Sequence, residues 1–462
     1  MLRMLHCDNQ PERHPKRCSF SRIEKNASDP AQASRMTTEI SSRQAFERWT
    51  RGRALPSIGT NAGAGSIAFQ DWKKFKEAFA PELILRAVRE SSVHVKRVLD
   101  PFGGSGTTAL ACQFLGVHPT TVEVNPFLAD LIRAKLALYD VGQLRDDADK
   151  VLTTMRAYPS DALPDGFLPP TFVEPGSGGR WLFSAELFTA FRSIQLAIAE
   201  VDDSDNRRLF RVLLGGLLVD VSNVRVSGKG RRYRANWQLR ETPSFLLFEL
   251  FEESLRSAMV DIGEHGCRAE TKAEVVEGDS RSALSNIAPV DLVVFSPPYP
   301  NSFDYTDVYN VELWMLGYLQ SWDDNKTLRE STLSSHVQVK REFAGPPSGS
   351  PLLEQSLEAL EEVKDQLWDR QLPLMIGAYF GELLSVIEAC AAKLVSEGEM
   401  WIVVGDSRYA GVDIRVARIM AELTVSRGFE TVSIEPFRSM RTSPQQGGRE
   451  GLDESLVILR KH

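Results

Sequence analysis

Cysteine is scarce in this sequence and scattered. Cys7, Cys18, Cys112, Cys267 and Cys390 are five among 462 residues, and no two form a C-x-x-C pair. That argues against a disulfide framework and against a zinc site, and it fits a reducing cytoplasm. Long apolar runs are absent as well. The most apolar stretch, Val212 to Val219, is followed by Asp220 and is too short to span a bilayer. The first residues lack the apolar core of a secretory signal. Positive charge is not in excess either: the formal net charge is −8. A nucleic-acid partner would therefore have to meet a local basic patch. There is no internal repeat and no long low-complexity tract. What remains is ordinary globular composition, 42% hydrophobic and 25% charged, enough for a sizeable core. The length suggests two to three domains, or one with large insertions.

The chain divides by pattern. Residues 1–50 read as a poorly ordered tail, and the polar stretch 1–36 has no apolar periodicity. Met36 opens a more ordinary segment and is a second candidate start. Residues 51–68 carry Gly52, Pro56, Gly59, Gly63 and Gly65 and read as a loop. From Asp71 a helical pattern sets in, with Pro81 as an internal boundary. Residues 70–140 then give strand, glycine turn, helix, strand: a βαβ unit, hence a parallel sheet. Residues 141–270 break the alternation and read as a largely helical insertion. Residues 271–462 resume it, with strands near 274–279, 291–296, 400–404, 429–434 and 455–459. The fold class is α/β with seven strands in the main sheet. Residues 320–350 read as polar and flexible.

Two stretches carry the chemistry. Gly104-Ser-Gly106 lets the backbone approach a ligand closely, and the helix behind it offers unpaired N–H groups. Glu123 ends the next strand, where a carboxylate can accept ribose hydroxyls. Asp279, at the end of the third strand, can take an adenine amino group. A phosphate-binding P-loop is disfavoured because no Lys follows the glycines. A nicotinamide-dinucleotide turn fits Gly104 to Ala109, and a tight turn without a ligand is the plain structural alternative. The second stretch is Ser296-Pro297-Pro298-Tyr299, at the end of the apolar run Leu292 to Phe295. By itself it is a strand stopped by two prolines.

Together these stretches resemble a known family. Asp100-Pro-Phe102-Gly-Gly104-Ser-Gly106-Thr107-Thr108 is similar to the cofactor loop of S-adenosylmethionine-dependent DNA methyltransferases acting on exocyclic amino groups. Ser296 to Tyr299 resembles their catalytic tetrapeptide. The resemblance covers about 70–140 and 270–460. It implies a Rossmann-like methyltransferase sheet of seven strands, mostly parallel with one antiparallel strand. It implies S-adenosyl-L-methionine as cofactor, with Asp100, Phe102, Gly104, Gly106, Thr107, Glu123, Asn125, Phe127 and Asp279 around it. Phe79 to Ile84 looks like the segment closing over the methionine end. A Ser at the head of the tetrapeptide is commonest among enzymes that make N4-methylcytosine; N6-methyladenine is the alternative product. RNA base methylation, a nicotinamide-dependent dehydrogenase and a non-enzymatic binder are the remaining rivals. No metal and no nucleophilic cysteine is required; Cys112 reads as core.

An exocyclic amine is a poor nucleophile, because its lone pair is delocalised into the ring. Acceptors on its hydrogens favour a tetrahedral nitrogen, and Ser296 with a backbone carbonyl of Pro297–Pro298 can supply them. Tyr299 offers a flat face to a base flipped out of the duplex. Phe303 and Tyr305 are candidate pocket walls or ordinary core.

Double-stranded DNA is the expected partner, with a cognate restriction or defence nuclease as a companion. The expected DNA contact is the run Ser222 to Arg240. It holds Arg225, Lys229, Arg231, Arg232, Arg234 and Arg240, with Tyr233 and Trp237 interleaved and no Asp or Glu, and reads as a loop. Further candidates are Arg438, Arg441 and Arg449, and the segment Ser334 to Arg341. His336 reads as structural or solvated.

Overall fold

The alternating apolar runs build a sheet that is buried on both faces. Leu292 and Val294 of one strand face one core; Val293 and Phe295 face the other. A two-residue period allows this only when helices cover both sides. The structure is a computed structural model. It describes residues 42–53, 67–75, 77–157, 166–227, 230–266, 268–269, 271–440 and 451–462. Its helices are α1 (42–50), α2 (Pro81–Glu90), α3 (Thr107–Leu115), α4 (Pro126–Leu136), α5 (Val141–Thr154), α6 (Ala185–Ala199), α7 (Ser204–Val221), α8 (Ser244–His265), α9 (Ser280–Ala283), α10 (Tyr305–Val308), α11 (Asn310–Met315), α12 (Trp322–Glu330), α13 (Pro351–Glu362), α14 (Leu372–Ala391) and α15 (Val416–Val425). Its strands are β1 (Arg97–Asp100), β2 (His118–Glu123), β3 (Val224–Ser227), β4 (Gly230–Tyr233), β5 (Glu274–Glu277), β6 (Val290–Phe295), β7 (Leu394–Gly405), β8 (Ser407–Tyr409), β9 (Val412–Ile414), β10 (Phe429–Met440) and β11 (Leu452–Lys461).

The main sheet has seven strands in the order β10-β11-β7-β6-β1-β2-β5. Neighbours from β7 to β5 pair in parallel, while β11 runs antiparallel to both β7 and β10. This is the expected Rossmann-like methyltransferase sheet with a single reversed strand. Chain order reverses between β1 and β6, so their carboxyl ends open a crevice for ligands.

Helices α2, α3 and α4 pack on one face. The apolar helix α7 lies over α4, and α5, α6 and α8 close around it. The stretch after β2 is thus helical, as expected, and it shares one hydrophobic core with that face of the sheet. The opposite face holds α13, α14 and α15. Among the described residues α14 is the one helix long and apolar enough to cross a membrane, and Met375, Ile376, Tyr379, Phe380 and Leu383 along it are buried in this core.

Four expectations need correction. Residues 42–50 are helix α1 and not tail: Trp49 stacks on Phe114 with ring centroids 4.5 Å apart. Residues 1–41, with Met36, lie outside the described residues, as do 54–66. The helix expected from Asp71 begins only at Pro81, where a fixed φ suits the first helical position. The basic run 222–240 contains the hairpin β3–β4. Residues 320–350 are built into the fold: α12 occupies part of them, and Ser334, Ser335 and His336 are each 1% exposed.

Candidate active site

The carboxyl ends of four neighbouring strands supply the site. Asp100 ends β1, Glu123 ends β2, Asp279 follows β5 and Ser296 follows β6. They line one cavity of about 380 Å³.

The turn after β1 is close-fitting. A Cβ at Gly103 would lie 2.4 Å from Thr121 Oγ1, so only glycine fits. Gly104 has φ +52° and Gly106 has φ +81°, the left-handed region that glycine adopts without strain. Gly106 caps α3, and the first residues of that helix, Thr107 and Thr108, line the cavity. Lys135 donates from below to the Ser105 carbonyl at 2.8 Å, a support no sequence pattern indicated. Glu123 is tied to the same turn. Its carboxylate accepts from Gly104 N–H at 2.7 Å and from Asn125 N–H at 2.8 Å. Two of its lone-pair positions remain for ligand hydroxyls. Burial pushes Glu123 up to about 7, against the pull of these backbone N–H groups. Burial likewise raises Asp100 to about 6; its Oδ1 accepts from Phe102 N–H.

Asn125 caps α4, its Oδ1 accepting from the N–H groups of Phe127 and Leu128. Asp279 lines the cavity while chelated by Arg281, so its side chain arrives with one cation already on it. Phe127 departs from expectation. Its ring is fully buried, edge-on to Tyr318, and absent from the cavity lining. It is a core residue between α4 and α7; Leu128 lines the cavity in its stead. Phe75 and Phe79, ahead of α2, cover the same end. A positive-φ backbone cradle, a helix N-terminus and a carboxylate at the second strand suit an adenosyl ligand, so S-adenosylmethionine fits the residues present.

The tetrapeptide forms the other end. Ser296, Pro297, Pro298 and Tyr299 all line the cavity. Ser296 Oγ donates to Tyr299 Oη at 3.3 Å, and Tyr299 Oη donates to Glu454 Oε1 at 2.8 Å. Glu454 comes from β11, 155 residues away. Burial, then the Glu454 charge, pushes the Tyr299 phenol far up, so it stays protonated. Tyr409 Oη donates to the Pro300 carbonyl at 2.8 Å and pins the chain that follows. Phe303 and Tyr305 line the cavity together, and Tyr309 stacks on Phe75 at 6.1 Å. Glu454, Tyr309, Glu77 and His336 line this cavity without having been assigned to it from sequence.

Beside this end lies the hairpin β3–β4. The Arg231 guanidinium stands 3.6 Å from Asp307 of α10, whose Tyr305 and Thr306 line the cavity. Of the six basic residues of the run 222–240, Arg240 donates to the Asp220 carbonyl at 3.0 Å and the other five divide. Arg225 and Arg232 are exposed and directly opposite each other. Arg231 leans on Asp307 and Phe172, and Arg234 donates to the carbonyls of Val219 and Ser222 at the end of α7. Those last two are thereby engaged in the fold. Lys229, Arg441 and Arg449 lie outside the described residues, as does the side chain of Arg438.

Comparison with known proteins agrees with the geometry. The family described as DNA methylase matches residues 10–134, which include the glycine turn. The Type II methyltransferase M.AvaI of Nostoc sp. is 26% identical over 436 residues, covering 84% of this chain and 86% of its own length. The Type II methyltransferase M.BsoBI of Geobacillus stearothermophilus is 23% identical, covering 90% and 89%. The Type II methyltransferase M.MjaII of Methanocaldococcus jannaschii is 30% identical over 71 residues, 15% of this chain. With such relatives along most of its length, and a glycine turn and a Ser-Pro-Pro-Tyr segment lining one cavity, the chain is similar to DNA methyltransferases.

Proposed function

We propose that the protein transfers a methyl group from S-adenosylmethionine to the N4 amino group of a cytosine flipped out of double-stranded DNA. The observation carrying this reading is the single cavity shared by the Asp100–Thr108 turn and the Ser296–Tyr299 segment. The serine at the head of that segment supports cytosine.

Bound S-adenosylmethionine would supply an electrophilic methyl group. Asp100, Phe102, Gly104, Gly106, Thr107, Glu123, Asn125 and Asp279 would hold it. Ser296 and a carbonyl of Pro297–Pro298 accept the hydrogens of the amine and so favour a tetrahedral nitrogen. The Tyr299 ring supports the base; such stacking contributes about 1–3 kcal/mol, comparable with an unstacking cost of a few kcal/mol. As the new N–C bond forms, the nitrogen becomes cationic and must lose a proton. Ser296 Oγ takes that proton while its own passes to Tyr299 Oη, and the phenol proton passes to the Glu454 carboxylate. Glu454 later returns the proton to solvent.

Arg225 and Arg232 are the DNA contacts the geometry favours. Like charges directly opposite on a hairpin repel unless an anion lies against them. A cognate nuclease and a cytoplasmic setting complete the reading. The test is expression in a methylation-free host, with nucleoside mass spectrometry of its DNA and RNA. N4-methylcytosine in DNA is expected. N6-methyladenine would move the reaction to adenine, and unmodified DNA would overturn the proposal.

A further inference from the structure

The segment after α12 folds back onto the catalytic loop. Ser302, buried and at φ +62°, donates its N–H to the Ser335 carbonyl at 2.9 Å. Gln338 Nε2 donates to the Ser302 carbonyl at 3.0 Å. Glu382 accepts from both the N–H and the hydroxyl of Ser334. The position of this segment is thus fixed relative to Ser296–Tyr299.

It presents His336 to the cavity. The side chain is 1% exposed, and neither ring nitrogen has a partner in good hydrogen-bond geometry among the described residues, the Gln338 side chain being the polar group close enough to favour the charged ring. Asp304 Oδ1 stands 3.8 Å from Nε2, beyond hydrogen-bond reach. Two buried ring nitrogens without partners are costly and rare, which points to a partner that arrives from outside. Burial, with Arg341 and Arg329 nearby, lowers the imidazole to about 4 despite the opposing pull of Asp304. A neutral ring carries one N–H donor and one acceptor. The adenosyl end of the cavity is built by Gly104, Glu123 and Asp279. The segment carrying His336 is fastened to the loop that follows the tetrapeptide, and through Glu382 also to Arg281 beside Asp279.

We propose that His336 is a specificity-determining residue of the target-base pocket, its ring N–H donating to the Watson–Crick edge of the flipped base. This rests on the methyltransferase reading of the cavity. Next to its amine, cytosine offers two acceptors, N3 and then O2. Adenine offers N1 and then a C–H. Both bases thus offer an acceptor beside the amine, and a single neutral donor favours cytosine when it reaches the second position, O2 in cytosine and C–H in adenine.

The test uses the full chain, S-adenosylmethionine and genomic DNA from a methylation-free host, with both methylated nucleosides quantified. H336F and H336A each remove the ring nitrogens, and H336Q keeps a donor and an acceptor. S-adenosylmethionine affinity by calorimetry is expected to stay within about twofold for all three, which also reports folding. For whichever of H336F and H336A folds, kcat/KM on DNA should fall about 10- to 100-fold, the effect of losing one buried hydrogen bond, and the preference for cytosine over adenine should narrow. H336Q should recover at least tenfold relative to them. Wild-type kcat/KM in a folded H336F or H336A, no recovery in H336Q, or a lost cofactor affinity would each overturn the assignment. Absence of methylation by the wild type would overturn the underlying reading instead.

Discussion

The Tyr299 hydroxyl can be removed with almost no change of shape. Tyr299→Phe keeps the ring, and with it the stacking surface for a base. It deletes the 2.8 Å bond to Glu454 and the 3.3 Å bond from Ser296. A hydrogen bond to a charged group is worth about 1.5–3 kcal/mol. If that full amount is felt only as the amine becomes cationic, at about 1.4 kcal/mol per tenfold, the methyl-transfer step slows by about 10- to 150-fold. Affinities for S-adenosylmethionine and DNA should stay within about twofold, because neither ligand depends on the hydroxyl before the reaction. Single-turnover transfer of labelled methyl, with enzyme in excess, isolates this step from product release. Glu454→Gln keeps an oxygen near the phenol but removes the base, so it should slow the same step comparably. Groups acting as one unit are not additive, so the double variant should be little slower than either single one. A Tyr299→Phe rate within twofold of wild type would refute the proton path. So would a loss seen wholly as weaker DNA binding, since the ring's packing would then explain it.

Three further outcomes are expected. Glu123 is raised from 4.5 to about 7, so the folded protein holds its proton where the unfolded chain has released it. The cofactor-free protein should therefore lose stability as pH rises from about 4.5 to 7, by about 3 kcal/mol from this group; chemical denaturation at several pH values should show the slope, shallower in Glu123→Gln. Arg225→Ala/Arg232→Ala should lower the salt dependence of DNA affinity by about two phosphate contacts, near 1.8 in log–log slope, whereas Arg231→Ala should chiefly lower the melting temperature. Gly103→Ala drives a methyl group into Thr121 Oγ1 and Ile132 Cδ1; the overpacking should cost about 1–3 kcal/mol, and calorimetry should find S-adenosylmethionine binding weakened.

Much of the fold was legible because its signals are local. A strand buried on both faces must be a short apolar run, and a βα turn that grips a ligand must be glycine-rich. Both leave contiguous traces, at Val98–Gly106 and Leu292–Pro298. The helix boundary at Pro81 was less legible. Phe75 and Phe79 stand at helical spacing from Leu83, yet they are apolar because they cover the cavity and not because they line a helix face. Apolar periodicity reports burial and does not say what does the burying. Phe127 shows the reverse error: the family resemblance implied a cofactor contact there, and the packing of α7 against α4 had already claimed the ring.

The site was legible only in the parts that the backbone itself forms. Glu454 and Lys135 act through contacts spanning 155 and 30 residues of sequence, to Tyr299 and Ser105, and His336 is held in place by its neighbour Ser335, whose carbonyl accepts from Ser302 N–H. Nothing within a short window distinguishes them. Glu454 occupies one position of a strand whose other residues alternate for sheet burial. His336 sits in a stretch whose polarity reads as solvent exposure. That polarity has another cause. A loop that must pass under other loops, and not over the surface, needs a partner for every buried N–H and C=O, and serine, glutamine and arginine side chains supply them. Ser334, Gln338 and Arg341 do so here, to Glu382, the Ser302 carbonyl and the carbonyls of Thr332 and Arg329. Arg341 Nε, Arg329 Nε and Ser302 Oγ nearby lack partners, as do the ring nitrogens of His336, but of these residues it is His336 that lines the cavity. An unsatisfied ring placed on a cavity wall is a property of three-dimensional accounting, and it gives the pocket a recognition group that the sequence had hidden among ordinary polar residues.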